Sequence, residues 1–249
     1  MKKLLFALAC CVLALNVHAQ TASEAQKIII IDGYFFNEMP VSVQQLTSIY
    51  LIETPDGTSA MGLTLSEPLS EKALKYAIPP EQIPESQLLL ERYREAIERA
   101  SGTSVKVQRE ATLNVGDKFP EFAAVDIDGR RWSNADVKGK VMVLNLWFTG
   151  CGPCRAEMPE LSTWKDEMPD VMFFSSTYED AQRARPVLES RKFNWIPLVN
   201  DTQFTQFIGN NGYPMTIVVD KEGIIAQVEY GTSPVQREEL KAKIRQLRR

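Results

Sequence analysis

Histidine is nearly missing from this chain: its 249 residues include one, His18. Cysteine is scarce too, with four, at positions 10, 11, 151 and 154. A structural zinc site takes about four thiol or imidazole ligands, and beyond position 19 the chain offers only Cys151 and Cys154. Attachment of a c-type haem requires a histidine directly after the second cysteine of the pair, and Arg155 stands there. Basic charge is in deficit, with 28 Lys and Arg against 32 Asp and Glu and a formal net charge of −4. No basic block offsets that balance, which argues against a nucleic-acid partner. The apolar stretch at 4–15 is shorter than the about 20 residues that span a bilayer.

The first nineteen residues set the compartment. Lys2-Lys3, the apolar stretch, and Val17-His18-Ala19 before Gln20 have the charged, apolar and small-residue regions of a secretory leader. Cleavage after Ala19 removes Cys10, Cys11 and the only histidine. It also removes two lysines and no acids, so the net charge moves from −4 to −6. A second reading takes Ala9-Cys10 as a lipoprotein junction. Both place the chain outside the cytoplasm, with a periplasmic location expected. Two cysteines do not make the disulfide framework of a small secreted domain. The pair is left for chemistry.

That pair is the centre of the sequence. The run Val141-Met142-Val143-Leu144-Asn145-Leu146-Trp147 is apolar almost without alternation, which reads as a strand buried on both faces. From Arg155 onward the pattern is helical, with Ala156, Leu161 and Trp164 on the inner side. Cys151-Gly152-Pro153-Cys154 therefore sits where a core strand ends and a helix begins, the redox context of a Cys-x-x-Cys. Free N–H groups and the helix dipole stabilise a thiolate at that end. The Cys151 pKa should fall below about 8.5. Pro153 suits the first turn, where its missing N–H costs nothing. Cys151, expected to be exposed, is then the attacking sulfur, and the shielded Cys154 resolves.

Before the centre, 20–110 reads as a smaller α+β domain of unknown role. A strand at 27–31 ends at Asp32-Gly33, and Pro55-Asp56-Gly57 joins two strands as a hairpin. Residues 86–100 are an amphipathic helix with Leu89, Tyr93, Ala96, Ile97 and Ala100 on one face. The polar stretch 101–112 reads as a linker. A second domain, 111–249, follows: a hairpin around Asp128-Gly129, a turn at 133–136, then strands and helices in alternation. A closing hairpin and helix complete an α/β arrangement around a mixed sheet.

This second part resembles the thioredoxin fold, and more narrowly the TlpA/ResA group of extracytoplasmic thiol–disulfide oxidoreductases. The resemblance rests on 115–122, Asp128-Gly129, Lys138-Gly139-Lys140, 147–161 and Gly212-Tyr213-Pro214. It implies a thioredoxin-like mixed sheet flanked by helices and a cis peptide before Pro214 beside the disulfide. Contact with substrate is implied for Trp147, Gly152, Pro153, Tyr213 and Pro214. The group places a glutamate three residues after the second cysteine, which maps to Glu157 and gives it a role in proton transfer. Three residues is almost one helical turn, so Glu157 can face the thiols. Asn145 stands where thioredoxin has a buried aspartate. Gly150 replaces the Trp that precedes thioredoxin's motif, which should open the approach to Cys151. Pro159 should bend the helix.

The reading is thus a reductase of disulfides in exported proteins, working through the catalytic residues Cys151, Cys154 and Glu157 without metal or cofactor. The chain has no Gly-rich dinucleotide fingerprint, so its electrons should come from a separate membrane thiol donor. Two alternatives stay open: an oxidase or isomerase using the same residues, and a partner- or glycan-binding protein whose thiol site only regulates it.

Overall fold

The computed structural model describes residues 27–99 and 112–249. The leader expected at 1–19 and almost all of the linker expected at 101–112 lie outside the described residues.

The first part is built on Ile28-Ile29-Ile30-Ile31, a run of β-branched residues that forms β1 (Ile28–Ile31) and is buried on both faces. Asp32 and Gly33 turn the chain at φ of 50° and 83° into β2 (Tyr34–Phe36). β3 (Leu46–Glu53) and β4 (Ser59–Leu65) form the expected hairpin, and β4 then pairs parallel to β1, giving the order β2-β1-β4-β3. A one-turn helix, α1 (Glu71–Leu74), precedes α2 (Ser86–Arg99). Because side chains alternate along β1, Ile28 and Ile30 meet α2 residues Leu89 and Tyr93, while Ile29 and Ile31 face a second cluster with Phe36 and Leu63.

The Tyr93 ring packs against Gly62, and its hydroxyl donates to the Leu63 carbonyl at 2.6 Å. A Cβ at position 62 would come within 2.6 Å of Tyr93 Cδ2. Gly62→Ala is therefore expected to destabilise this part by about 1–3 kcal/mol through overpacking. A denaturant midpoint equal to wild type would contradict the close packing.

The second part is a seven-stranded mixed sheet flanked by helices. Its first elements are β5 (Ala123–Asp126), β6 (Arg131–Ser133) and α3 (Asn134–Val137). The turn expected at 133–136 is thus a short helix. Asp136, three residues into it, accepts the Ser133 N–H at 2.9 Å, and that carboxylate satisfies an otherwise orphan donor. Then come β7 (Met142–Leu146), α4 (Gly152–Glu167), β8 (Met172–Ser176), α5 (Ala181–Ser190) and β9 (Ile196–Val199). A 3₁₀ turn at Phe204–Ile208 leads to β10 (Met215–Val219), β11 (Ile225–Tyr230) and α6 (Pro234–Leu247). The order is β11-β10-β7-β8-β9-β5-β6, with β7, β8 and β9 parallel and the remaining pairings antiparallel.

β7 lies inside this sheet, which explains its lack of alternation. Val143 faces a core with Trp147, Met158, Leu161 and Trp164, while Met142 and Leu144 face another with Phe119, Trp132 and Phe174. Its one polar side chain, Asn145, is also buried.

α6 joins the two sheets. Lys72 of α1 pairs with Glu239 at 2.7 Å, Tyr76 donates to Glu238 at 2.5 Å, and Glu38 pairs with Arg237 at 2.6 Å. Ser42 Oγ donates to the Tyr230 carbonyl at 3.3 Å. Among the described residues, no helix is long and apolar enough to cross a membrane.

Candidate functional site

β7 delivers the chain to the top of the sheet, and α4 carries it away. Between them Cys151 is the N-cap of α4, its Sγ accepting the Cys154 N–H at 3.2 Å. The two cysteines form a disulfide with their Cα atoms 5.3 Å apart. Pro153 occupies the first turn, as its missing N–H allows. Pro159 lies inside α4 without ending it.

Two expectations about exposure are corrected. Cys151 is only 4 % exposed and Cys154 1 %, so both sulfurs are covered in the disulfide form. The N-cap position turns Cys151 toward the helix, and Phe148 and Tyr213 pack against the cluster that includes both cysteines. Trp147 is fully buried in that same core and has no face to offer a substrate. It closes β7, its N–H donating to the Ser176 carbonyl. Gly152 and Pro153 are exposed, Tyr213 is half-buried, and Pro214 is buried after a cis peptide bond, as expected.

The approach is also less open than Gly150 suggested. A Cβ there would lie 2.9 Å from the Phe148 ring, so glycine makes room for Phe148 rather than leaving a gap. Phe148 meets Tyr213 edge-on at 5.1 Å and stacks on Tyr178 at 6.2 Å, an aromatic group whose Phe148 and Tyr213 pack on the core that holds both cysteines. Tyr178 is 47 % exposed, and nothing in its sequence surroundings singled it out. Glu179, also unanticipated, accepts the Thr149 N–H at 2.6 Å and its hydroxyl at 2.8 Å, pinning the loop that presents Cys151.

Below the disulfide, the inner face of α4 is Cys154, Glu157, Met158, Leu161 and Trp164. Ala156, expected on that face, is exposed, and the glutamate beside it is inside. Asn145 Nδ2 donates to Glu157 Oε1 at 2.9 Å and to Thr216 Oγ1 at 3.0 Å. Thr232 lies near the same carboxyl and favours its charged form. Burial pushes the Glu157 pKa from 4.5 up to about 7, against the opposing pull of Thr232, Asn145 and the Arg237 charge. A carboxyl near neutrality one helical turn from a thiol is equipped to hold or release a proton in the physiological range. Asn145, Thr216 and Thr232 were not identified as partners, although an asparagine in an apolar strand signals a buried hydrogen bond.

A Cys-x-x-Cys disulfide on a helix N-terminus, beyond the end of the buried strand β7, with a cis-proline entering the neighbouring strand β10 at the same end, defines a thiol–disulfide exchange centre on a thioredoxin-like fold. The Redoxin family model matches residues 114–244. The chain is 32 % identical over 140 residues to the thiol:disulfide interchange protein DsbE of Pseudomonas aeruginosa, covering 53 % of this chain and 77 % of that one. It is 27 % identical over 130 residues to the thioredoxin-like protein YneN of Bacillus subtilis, covering 50 % and 76 %. With the thiol-disulfide oxidoreductase ResA of the same organism the identity is 28 % over 126 residues, covering 49 % and 70 %. Among solved structures, a Chlorobium tepidum chain named with the DsbE interchange proteins shares the fold, at a TM-score of 0.50 and 23 % identity over 54 % of this chain and 98 % of that one. The chain belongs to the Redoxin family and is a TlpA/ResA-like thiol–disulfide oxidoreductase of the thioredoxin superfamily.

Proposed function

We propose that this oxidoreductase works outside the cytoplasm as a reductase, with Cys151 as nucleophile, Cys154 as resolving thiol and Glu157 as the proton carrier. The observation that carries the reading is the buried Glu157, one turn beyond a disulfide set on the α4 N-terminus. In the reduced protein the Cys151 thiolate attacks a substrate disulfide, forming a mixed disulfide and expelling one substrate thiolate, which takes up a proton. Glu157 accepts the Cys154 proton, and the Cys154 thiolate attacks Cys151 Sγ, releasing the second substrate thiolate, which is also protonated. The substrate gains two electrons and two protons, and the Cys151–Cys154 disulfide is regenerated. Gly152, Pro153, Tyr213 and Pro214 are the residues proposed to line the bound chain, with Tyr213 offering its backbone edge as in strand addition. Substrates are disulfide-bearing exported proteins, and the leader-like 1–19 supports the periplasmic location.

Gly152-Pro153 places no histidine between the cysteines to stabilise the thiolate strongly. The reduction potential is therefore expected nearer the roughly −270 mV of thioredoxin than the −120 mV of a dedicated oxidant. Equilibration with dithiothreitol and glutathione buffers, read by alkylation of the free thiols, measures it. A value near the oxidant end would replace the reductase reading with the oxidase.

A further inference from the structure

We propose that Glu38, contributed by the amino-terminal part, is a positioning residue for the dithiol centre: it neutralises Arg237 and so sets the charge that Glu157 meets through Thr232. The proposal rests on the reading of Glu157 as proton carrier. It adds that the first part of the chain helps to tune that group.

The geometry is a continuous relay. Glu38 follows β2, and its two carboxylate oxygens take Arg237 Nη1 at 2.6 Å and Nη2 at 3.2 Å. Arg237 lies on the first turns of α6, its side chain 7 % exposed. Its Nε donates to Glu160 of α4 at 2.6 Å, and Nη1 donates also to Thr232 Oγ1 at 2.9 Å. The Thr232 hydroxyl has one proton to give. Accepting from Arg237, it keeps that proton to offer the nearby Glu157 carboxyl, whose charged form it favours. Four residues from three segments thus connect the amino-terminal part to the site.

The groups around Glu157 can be followed element by element. On α4 itself are Cys154 and Glu160, on β7 Asn145, on β10 Thr216, before α6 Thr232, and on α6 Arg237. Among these, Arg237 pulls the Glu157 proton equilibrium down and Glu160 pushes it up. Burial works against the Arg237 charge, while Glu38 and Glu160 overcome that and hold the guanidinium charged. Glu238, the next acid on α6, is engaged by the Tyr76 hydroxyl. Glu38 therefore supplies one of the two carboxylates that balance a nearly buried cation. With it gone, more of the Arg237 charge is uncompensated, and the carboxylate form of Glu157 is favoured.

A plain clamp between the two sheets would show the same contacts, so the test must read charge at Glu157. The full chain with ¹³C-labelled glutamate is titrated in the oxidised state as wild type, Glu38→Gln and Glu38→Asp, with the Glu157 signal assigned by its loss in Glu157→Gln. Glu38→Gln is expected to lower the Glu157 midpoint by about half a pH unit or more, roughly threefold in the proton equilibrium. Glu38→Asp, which keeps the charge, should return it toward wild type. Glu38 is 42 % exposed and should tolerate these changes, and Glu38→Ala gives the same reading if glutamine does not fold. A midpoint unmoved in Glu38→Gln, with or without a loss of thermal stability, would reduce the pair to a clamp and overturn the proposal. The pH–rate profile of disulfide reduction separates the two claims. If Glu157→Gln overlays wild type, the catalytic reading of Glu157 fails, while the carboxyl titration still decides the coupling.

Discussion

Cys154→Ser is expected to accumulate covalent complexes with its partners, whereas Cys151→Ser should form almost none. Both should lose multiple-turnover disulfide reduction to the uncatalysed background, because exchange passes through a mixed disulfide that the second thiol must resolve. The asymmetry follows from position. Cys151 caps α4 at its positive end, where a thiolate is favoured, and Cys154 lies one turn in and is the more deeply covered. The electron supply makes this the most informative pair of variants. Two cysteines in one motif leave no second pair to relay electrons within the chain beyond position 19. An oxidising compartment would soon strand a reductase as its disulfide, so a separate membrane thiol protein is proposed to return it to the dithiol. Expressing Cys154→Ser in the native host, quenching with acid and identifying the attached proteins after non-reducing electrophoresis should reveal that donor beside the substrates. Soluble substrates without any membrane thiol protein, and a wild-type pool oxidised at steady state, would sink the reductase reading. Complexes formed chiefly by Cys151→Ser would reverse the assignment of the two thiols.

What the sequence made legible was whatever depends on neighbours along the chain. β7 was readable because burial on both faces removes alternation, and α4 because Cys, Pro and an apolar stripe mark its start. The hairpin at Pro55-Asp56-Gly57 and the cis-proline followed from local chemistry or from the family motif. The failures share another cause. An alanine was placed on the inner face of α4 on hydrophobicity alone, yet the neighbouring Glu157 is the buried one, its carboxyl bonded by Asn145 from a strand distant in sequence. The resemblance implied substrate contact for Trp147, but its side chain is buried in a core shared with α4. Phe148 and Tyr213, which pack against the cluster that holds Cys151, are brought together only by the fold. Glu38 and Arg237 are 199 residues apart, and no local pattern pairs them. The parallel pairing of β1 with β4 was equally hidden, since register across such a gap leaves no periodic trace.

Glu157→Gln should remove a pH dependence from both stability and rate. In the folded protein burial raises this carboxyl from 4.5 to about 7. Between those values the native state holds a proton that the unfolded chain has released, so unfolding free energy falls as pH rises through the window. Below it both states are protonated and nothing is lost; above about 7 the full cost is present, on the order of 3 kcal/mol from the linkage relation. Oxidised wild type should therefore lose denaturant stability between pH 4.5 and 7.5 more steeply than Glu157→Gln, which still offers Asn145 an acceptor oxygen but has no charge to bury. The same variant cannot take the Cys154 proton. Its resolving step should slow by about a hundredfold near pH 7, at the lower end of general acid–base contributions, and the inflection near neutrality should leave the pH–rate profile. Stopped-flow measurement of mixed-disulfide resolution across pH 5–9, beside denaturant titrations over the same range, checks both. Two overlaid stability curves would mean that Glu157 ionises in the fold as it does in water, and overlaid rate profiles would remove it from the chemistry.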